Sequence, residues 1–221
     1  MKQNKHILVV APHADDEVLG VGGTIANHAL QKDDVYLCIL TKPYGSGWSS
    51  QYKKHKPIEI RKSNKILGIR KTFQFNYHAA MLDVVPQKDI ISGLRDIVSD
   101  IKPDIVYIPF IGDLHRDHRI AFEASLVAVR PYYCTVSQIF AYETLSETEW
   151  GSLAQPFTPT VYSNISNTIQ KKFRAMEAYA SELKEAPHPR SLKVIEALAI
   201  KRGSECNMKF AEAFVNIRTF L

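Results

Sequence analysis

The stretch from residue 7 to residue 26, ILVVAPHADDEVLGVGGTIA, restricts the fold more than any other part of the chain. Its apolar run at residues 7–10 reads as a buried strand, and the spacing over residues 16–31 reads as an amphipathic helix. Between them stand Pro12, His13 and two adjacent carboxylates, Asp15 and Asp16. Desolvating a carboxylate is costly, and two neighbours also repel, so a bound cation is the economical explanation. A histidine three residues ahead of an aspartate at a strand-to-helix turn suits a divalent metal, and it leaves Asp15 beside the metal's water. Two other readings fit the same residues. Asp15 or Asp16 can cap the helix, favoured by the positive end of its dipole. Gly20, Gly22 and Gly23 suggest a dinucleotide turn, but they fall inside the helix and not between strand and helix, where that fingerprint belongs. They read better as points of close packing.

Residues 35–40 read as a second strand, which makes a β-α-β opening. The polar stretch 42–57 is too long for a simple connection in a compact domain. It leaves the carboxyl end of a strand, where open α/β sheets bind ligands, so Tyr44, Trp48 and Tyr52 are candidates for a mobile substrate lid. A loop without function is the alternative. Helices follow at 58–67, ended by Gly68, and at 88–101, stopped before Pro103, with strands at 72–75 and 104–110. Later segments predict strands at 138–142 and 160–163, helices at 167–180 and 190–203, and a strand or helix at 210–221. The alternation predicts an α/β fold: a Rossmann-like, mostly parallel, doubly wound sheet with helices on both faces and its crossing point beside the first strand. With 221 residues, 45% of them hydrophobic, and no repeat or linker, the chain is expected to form a single domain over residues 1–221.

The formal charge of +5 is scattered in short clusters such as Lys53, Lys54, His55 and Lys56, without the aromatic-interleaved stripe of nucleic-acid binders. No nucleic-acid partner is expected. No apolar run approaches the roughly 20 residues needed to span a bilayer, and the run before Pro12 is too short for a signal peptide. The chain is therefore expected in the cytoplasm, without membrane insertion. Cys38, Cys134 and Cys206 are far apart and read as buried thiols, not as a disulfide framework or metal knuckle.

A second charged cluster, GDLHRDHRIAFEA at residues 112–124, follows the strand at 104–110. His115, Asp117 and His118 thus stand after a strand and at the start of a helix, as His13 and Asp16 do. In a doubly wound sheet that turns back at strand one, the two loops meet at the switch point. Two neutral imidazoles plus a carboxylate, with one position open, form the ligand set of a catalytic zinc site.

The turn Pro-His-x-Asp-Asp-Glu at residues 12–17, followed by His-x-Asp-His at 115–118, resembles the PIG-L/LmbE-like zinc-dependent N-deacetylases. The segment from Arg61 to the Leu-Gly-Ile at 67–69, the Pro-His-Pro-Arg-Ser at 187–191 and the Ala-Glu-Ala-Phe at 211–214 also look like that family. The resemblance implies one zinc ion per chain, held by His13, Asp16 and His118, with Asp15 as general base. It further implies that His115 stabilises the oxyanion or acts as acid, oriented by Asp117. Members often carry a glutamate three residues after the arginine. Here that position is Asn64, which leaves the substrate-binding role of Arg61 without its usual partner.

The chemistry stands without the family. Zinc lowers the pKa of its water to about 7 and polarises a carbonyl. Asp15 takes the water's proton and returns it to the departing nitrogen, while a protonated His115 held by Asp117 donates to the tetrahedral oxygen. Glu17 reads as first-turn charge on the helix dipole, with support of the metal's ligands as the alternative. Tyr142, Glu143, His188, Arg190 and Glu212 are candidates to line a sugar pocket, although polar residues at element ends more often cap or face solvent. The expected function is removal of an N-acetyl group from an N-acetylglucosamine-like sugar in a small glycoconjugate or nucleotide sugar. An amidase acting on a larger acyl or conjugate amide is one alternative, and a metal- or nucleotide-binding module without turnover is a more distant one. A homo-oligomer is compatible with this reading.

Overall fold

The computed structural model describes residues 4–221. In β1 (His6–Ala11), Ile7, Val9 and Ala11 enter one apolar core while Leu8 and Val10 enter another. Side chains alternate along a strand, so a run without polar residues is what a strand covered on both faces requires. The first face is covered by α1 (Asp16–Leu30), α2 (Ser50–Leu67), α5 (Ile169–Ala178) and α6 (Leu192–Ser204), and the second by α3 (Gln87–Ile101) and α4 (Arg116–Ala128).

The other strands are β2 (Asp34–Lys42), β3 (Lys71–His78), β4 (Ile105–Pro109), β5 (Gln138–Tyr142), β6 (Val161–Asn164) and β7 (Ala211–Thr219). They form one open sheet in the order β3-β2-β1-β4-β5-β7-β6. Strands β1 to β5 are parallel, while β7 pairs antiparallel with both β5 and β6. The expected doubly wound architecture is therefore present, and the segment left open between strand and helix at 210–221 is an antiparallel strand. From β1 the chain first builds outward through β2 and β3, then crosses to β4 on the other side. The turns after β1 and β4 consequently face each other at the carboxyl edge of the sheet.

The stretch 42–57 is not one long loop. Helix α2 begins at Ser50, capped by Ser49, whose side chain accepts from the Tyr52 N–H at 3.1 Å. Only residues 43–49 connect β2 to α2, and Tyr52 lies on the helix. Pro57 suggests a boundary because proline lacks an N–H and favours first turns, yet it stands inside α2.

The glycines of α1 serve packing. A Cβ on Gly20 would lie 2.2 Å from the Tyr142 ring, and one on Gly23 would lie 2.6 Å from Ile165. Beside them, Glu212 of β7 accepts from the Gly23 and Thr24 N–H groups at 2.8 Å each. Lys172 of α5 donates to the same carboxylate at 2.6 Å and to the Leu19 carbonyl at 2.8 Å. A buried ion pair thus fastens α1 to two later elements.

Candidate active site

The turn between β1 and α1 places its carboxylates by backbone conformation. Asp15 has φ 122°, a region that L residues rarely adopt, and such strain concentrates at functional sites. It is held there by Glu17, whose carboxylate accepts from the Asp15 N–H at 3.1 Å and from the Tyr179 hydroxyl at 2.7 Å. Burial pushes the Glu17 carboxyl up to about 7, against the opposing pull of the Tyr179 hydrogen bond. Glu17 therefore supports the turn as well as sitting at the positive end of the helix. One residue earlier than Glu17, Asp16 closes the turn by accepting from the His13 N–H at 2.8 Å.

The turn after β4 completes a three-atom cluster. Asp16 Oδ2 lies 3.3 Å from His13 Nδ1 and 3.3 Å from His118 Nε2. The second nitrogen of each imidazole is held by its own carboxylate: His13 Nε2 by Asp117 Oδ2 at 3.0 Å, and His118 Nδ1 by Asp113 Oδ2 at 2.8 Å. Asp113 in turn accepts from the Thr148 hydroxyl at 2.6 Å, and Asp117 accepts from the Ala80 and Leu82 N–H groups at 2.7 and 3.0 Å. This is the arrangement of metal-binding histidines, each oriented through its other nitrogen.

Two observations test whether a cation fits. His118 Nε2 is buried with no hydrogen-bond partner, the kind of orphan that a native interior avoids. The charges around it also favour a positive ion. Burial opposes protonation of His13, but Asp117 and Asp16 outweigh it and push the imidazole up to about 9. Burial likewise opposes charge on His118, yet Asp16 and Asp113 raise it well above its ordinary value. For Asp16, burial is overcome by His118 and His13, which hold the carboxyl well below the usual range. Donors of two nitrogens and one oxygen suit zinc among the divalent ions. His13, His115 and Asp117 also come close enough to share an ion. The first trio fits better, because the Asp117 carboxylate already accepts from two backbone N–H groups and His118 Nε2 has no other use.

His115 departs from its expected state. The Asp117 carboxylate is turned to His13, and only the Asp117 N–H meets His115, donating to its Nδ1 at 3.1 Å as the cap of α4. With Nδ1 accepting, the neutral ring carries its proton on Nε2. Burial, His13 and His118 push His115 down to about 4, so it is a neutral donor and not an imidazolium.

A cavity of about 290 Å³ opens over this cluster, lined on the near side by His13, Asp15, Asp16 and His115. Trp48 lines it, whereas Tyr44 is exposed and stacks on His78 with ring centroids 3.5 Å apart. Arg61 is exposed on α2 and does not line the cavity. The basic residue of α2 that does is Lys56, and Glu59, three residues on, supplies the glutamate partner that Asn64 does not, at 3.2 Å. Lys56 Nζ also donates to Glu182 Oε1 at 2.5 Å and to the Ser181 hydroxyl at 2.7 Å. Tyr52 donates to the same Glu182 oxygen, and Arg190 bonds the other at 2.9 Å while approaching Asp15 Oδ2 at 3.5 Å. Burial and Asp16 raise the Asp15 carboxyl well above the usual range, and Arg190 only partly offsets them. Of the remaining candidates, Tyr142 is buried and donates to the Val10 carbonyl at 2.8 Å, Glu143 pairs with Arg202, and Glu212 braces α1. His188 accepts from the Arg190 N–H at 3.1 Å and does not line the cavity. Asp113, Lys56 and Glu182 carry no motif of their own. The only sequence cue is for Asp113, which lies five residues ahead of His118.

Comparison with known proteins agrees with the geometry. The family model described as PIG-L: GlcNAc-PI de-N-acetylase matches residues 8–129, which include both turns. The uncharacterized deacetylase YaiS of Escherichia coli (strain K12) is 33% identical over 169 residues, covering 74% of this chain and 83% of that protein. A probable N-acetyl-alpha-D-glucosaminyl L-malate deacetylase 2 of Bacillus anthracis is 26% identical over 200 residues, covering 82% and 83%. Among solved structures, the conserved protein TT1542 from Thermus thermophilus superposes with a TM-score of 0.81 at 25% identity, covering 98% of this chain and 96% of that one.

Proposed function

The chain belongs to the PIG-L family of de-N-acetylases, and we propose that it is a metal-dependent hydrolase removing the acetyl group from an N-acetylglucosamine-like sugar. The observation that carries this reading is the convergence of His13 Nδ1, Asp16 Oδ2 and the buried, unpartnered His118 Nε2 at the floor of a cavity that His13, Asp15 and Asp16 line. His13, Asp16 and His118 would hold the ion, zinc by its donor set, and the ion supplies a water of lowered pKa and polarises the acetamido carbonyl. Asp15 accepts one proton of the attacking water and returns it to the nitrogen as the amide bond breaks, and the acetic acid formed gives up its remaining proton, so that acetate and the protonated amine leave. Neutral His115 donates its Nε2–H to the carbonyl oxygen as charge gathers there. The volume of the cavity is at the small end for small-molecule sites, in keeping with one sugar ring and an acetyl group. The relative named for N-acetyl-alpha-D-glucosaminyl L-malate supports a glycoconjugate as the substrate class.

The test is acetate release from a panel of N-acetylated sugars by purified protein of measured zinc content, with and without a chelator. Asp15→Asn should lower kcat by roughly 10²–10⁴-fold while zinc stays bound. Activity that survives chelation, or an Asp15→Asn protein as active as the parent, would sink the proposal.

A further inference from the structure

Glu147 lines the same cavity and belongs to none of the networks described so far. Its side chain is half-buried, and among the described residues its carboxylate makes no hydrogen bond or ion pair. Every other carboxylate on the cavity wall has a hydrogen-bond partner: Asp16 in the His13 N–H, Asp15 in Arg190, Glu182 in Lys56, Tyr52 and Arg190. A partly desolvated acceptor without a protein donor is either a liability or a contact kept for a ligand.

The backbone around Glu147 is fixed, and it is fixed to the metal-binding turn. The Glu147 carbonyl accepts from the N–H of Leu114, the neighbour of His115, at 3.2 Å. The next residue, Thr148, donates its hydroxyl to Asp113, the carboxylate that orients His118. The preceding residue, Ser146, is held at φ 77°, where its N–H donates to Glu149 Oε1 at 2.7 Å. The backbone that carries this carboxylate is therefore tied to the turn at 113–118 and not to the far wall of the cavity.

We propose that Glu147 is a specificity-determining residue that accepts a hydrogen bond from a hydroxyl of the same sugar ring that bears the acetamido group. This rests on the deacetylase reading above. With the acetamido carbonyl placed at the cluster, a group tied to the same turn meets the sugar ring itself, and the hydrogen-bond donors a glycosylated ring offers are its hydroxyls. A carboxylate offers acceptors only, so the ligand must bring the donor, as a sugar hydroxyl does. The residue does not exchange protons with the reacting atoms, and its contribution is binding and orientation.

The experiment compares zinc-loaded wild type, Glu147→Ala and Glu147→Gln on the methyl glycoside of N-acetylglucosamine and on its 3-deoxy, 4-deoxy and 6-deoxy counterparts. Glu147→Ala should lose about 10- to 100-fold in kcat/KM on the parent glycoside, mostly through KM, because a hydrogen bond to a charged acceptor is lost. The loss should shrink to within about threefold on the one deoxy analogue whose missing hydroxyl was the partner, with zinc content and Tm unchanged. Glu147→Gln, which keeps one acceptor oxygen, should fall between the two. An equal loss on all four glycosides, or no loss on any, overturns the inference while leaving the deacetylase intact. Wild type that releases no acetate from any N-acetylated sugar overturns the deacetylase reading itself, and this inference with it.

Discussion

Apart from Glu147, the charged side chains on the near wall of the cavity come from two short turns, residues 13–17 and 113–118. On the far wall they come from α2 and from the segment after α5, with Lys56 and Glu182 126 positions apart in sequence. The near wall is held by backbone: Asp15 by a positive φ, Asp117 by two N–H groups, His115 by a helix cap. The far wall is held by side chains, in which Lys56, Tyr52, Arg190 and Glu182 form one hydrogen-bonded network. The contrast separates chemistry from recognition. A wall fixed by turns at a topological switch point cannot drift without losing the cluster, whereas a wall of long side chains can be rebuilt for another substrate with the reacting atoms left in place.

Three substitutions sharpen or break that separation. The largest effect is expected from His115→Ala, which in the proposed mechanism removes a donor to the developing oxyanion and should lower kcat by roughly two to three orders of magnitude with zinc content unchanged. Loss of the metal in that variant would show that His115, and not His118, completes the ligand set. Next comes Lys56→Met, which leaves Glu182 and Glu59 without their buried cation and should cost about 3 kcal/mol in a urea titration. Zinc affinity should be unchanged in Lys56→Met, and if it falls together with stability the two walls are not independent. The smallest effect belongs to Asp113→Asn, which disturbs the orientation of His118 without removing a ligand. A competition titration should show zinc binding weakened by about 10- to 100-fold. An unchanged affinity would mean that the imidazole is oriented by packing alone.

The near wall was legible in the sequence because its chemistry is local. His13, Asp15 and Asp16 are consecutive or nearly so, as are His115, Asp117 and His118, and each set follows an apolar strand. Which carboxylate serves which histidine was not legible. Asp117 stands next to His118 in sequence and two residues from His115, yet its carboxylate bonds His13 across the switch point, a pairing set by how two turns face each other. Lys56 was hidden for a different reason. It lies in a run of basic residues that resembles a solvated face, and Pro57 suggests that no helix has begun there. Only the rotation of α2, set by Ile60 and Leu67 packing on the core, turns Lys56 inward and Arg61 outward. The strand order was readable as far as the parallel half, since alternating strands and helices admit few arrangements, but nothing in the pattern of residues 210–221 declared an antiparallel insertion.

That insertion has a consequence for biogenesis. β7 leaves the ribosome after the six other strands, yet it takes an interior place between β5 and β6. A nascent chain that has delivered everything up to residue 210 holds both histidine- and aspartate-bearing turns, but β6 has no neighbour to pair with and the outer edge of β5 is bare. The ammonium of Lys172 at that stage also lacks the carboxylate it meets in the folded protein. Such an unfinished sheet exposes an edge prone to pairing with other chains, so β7 acts as a seal whose arrival ends the period of aggregation risk.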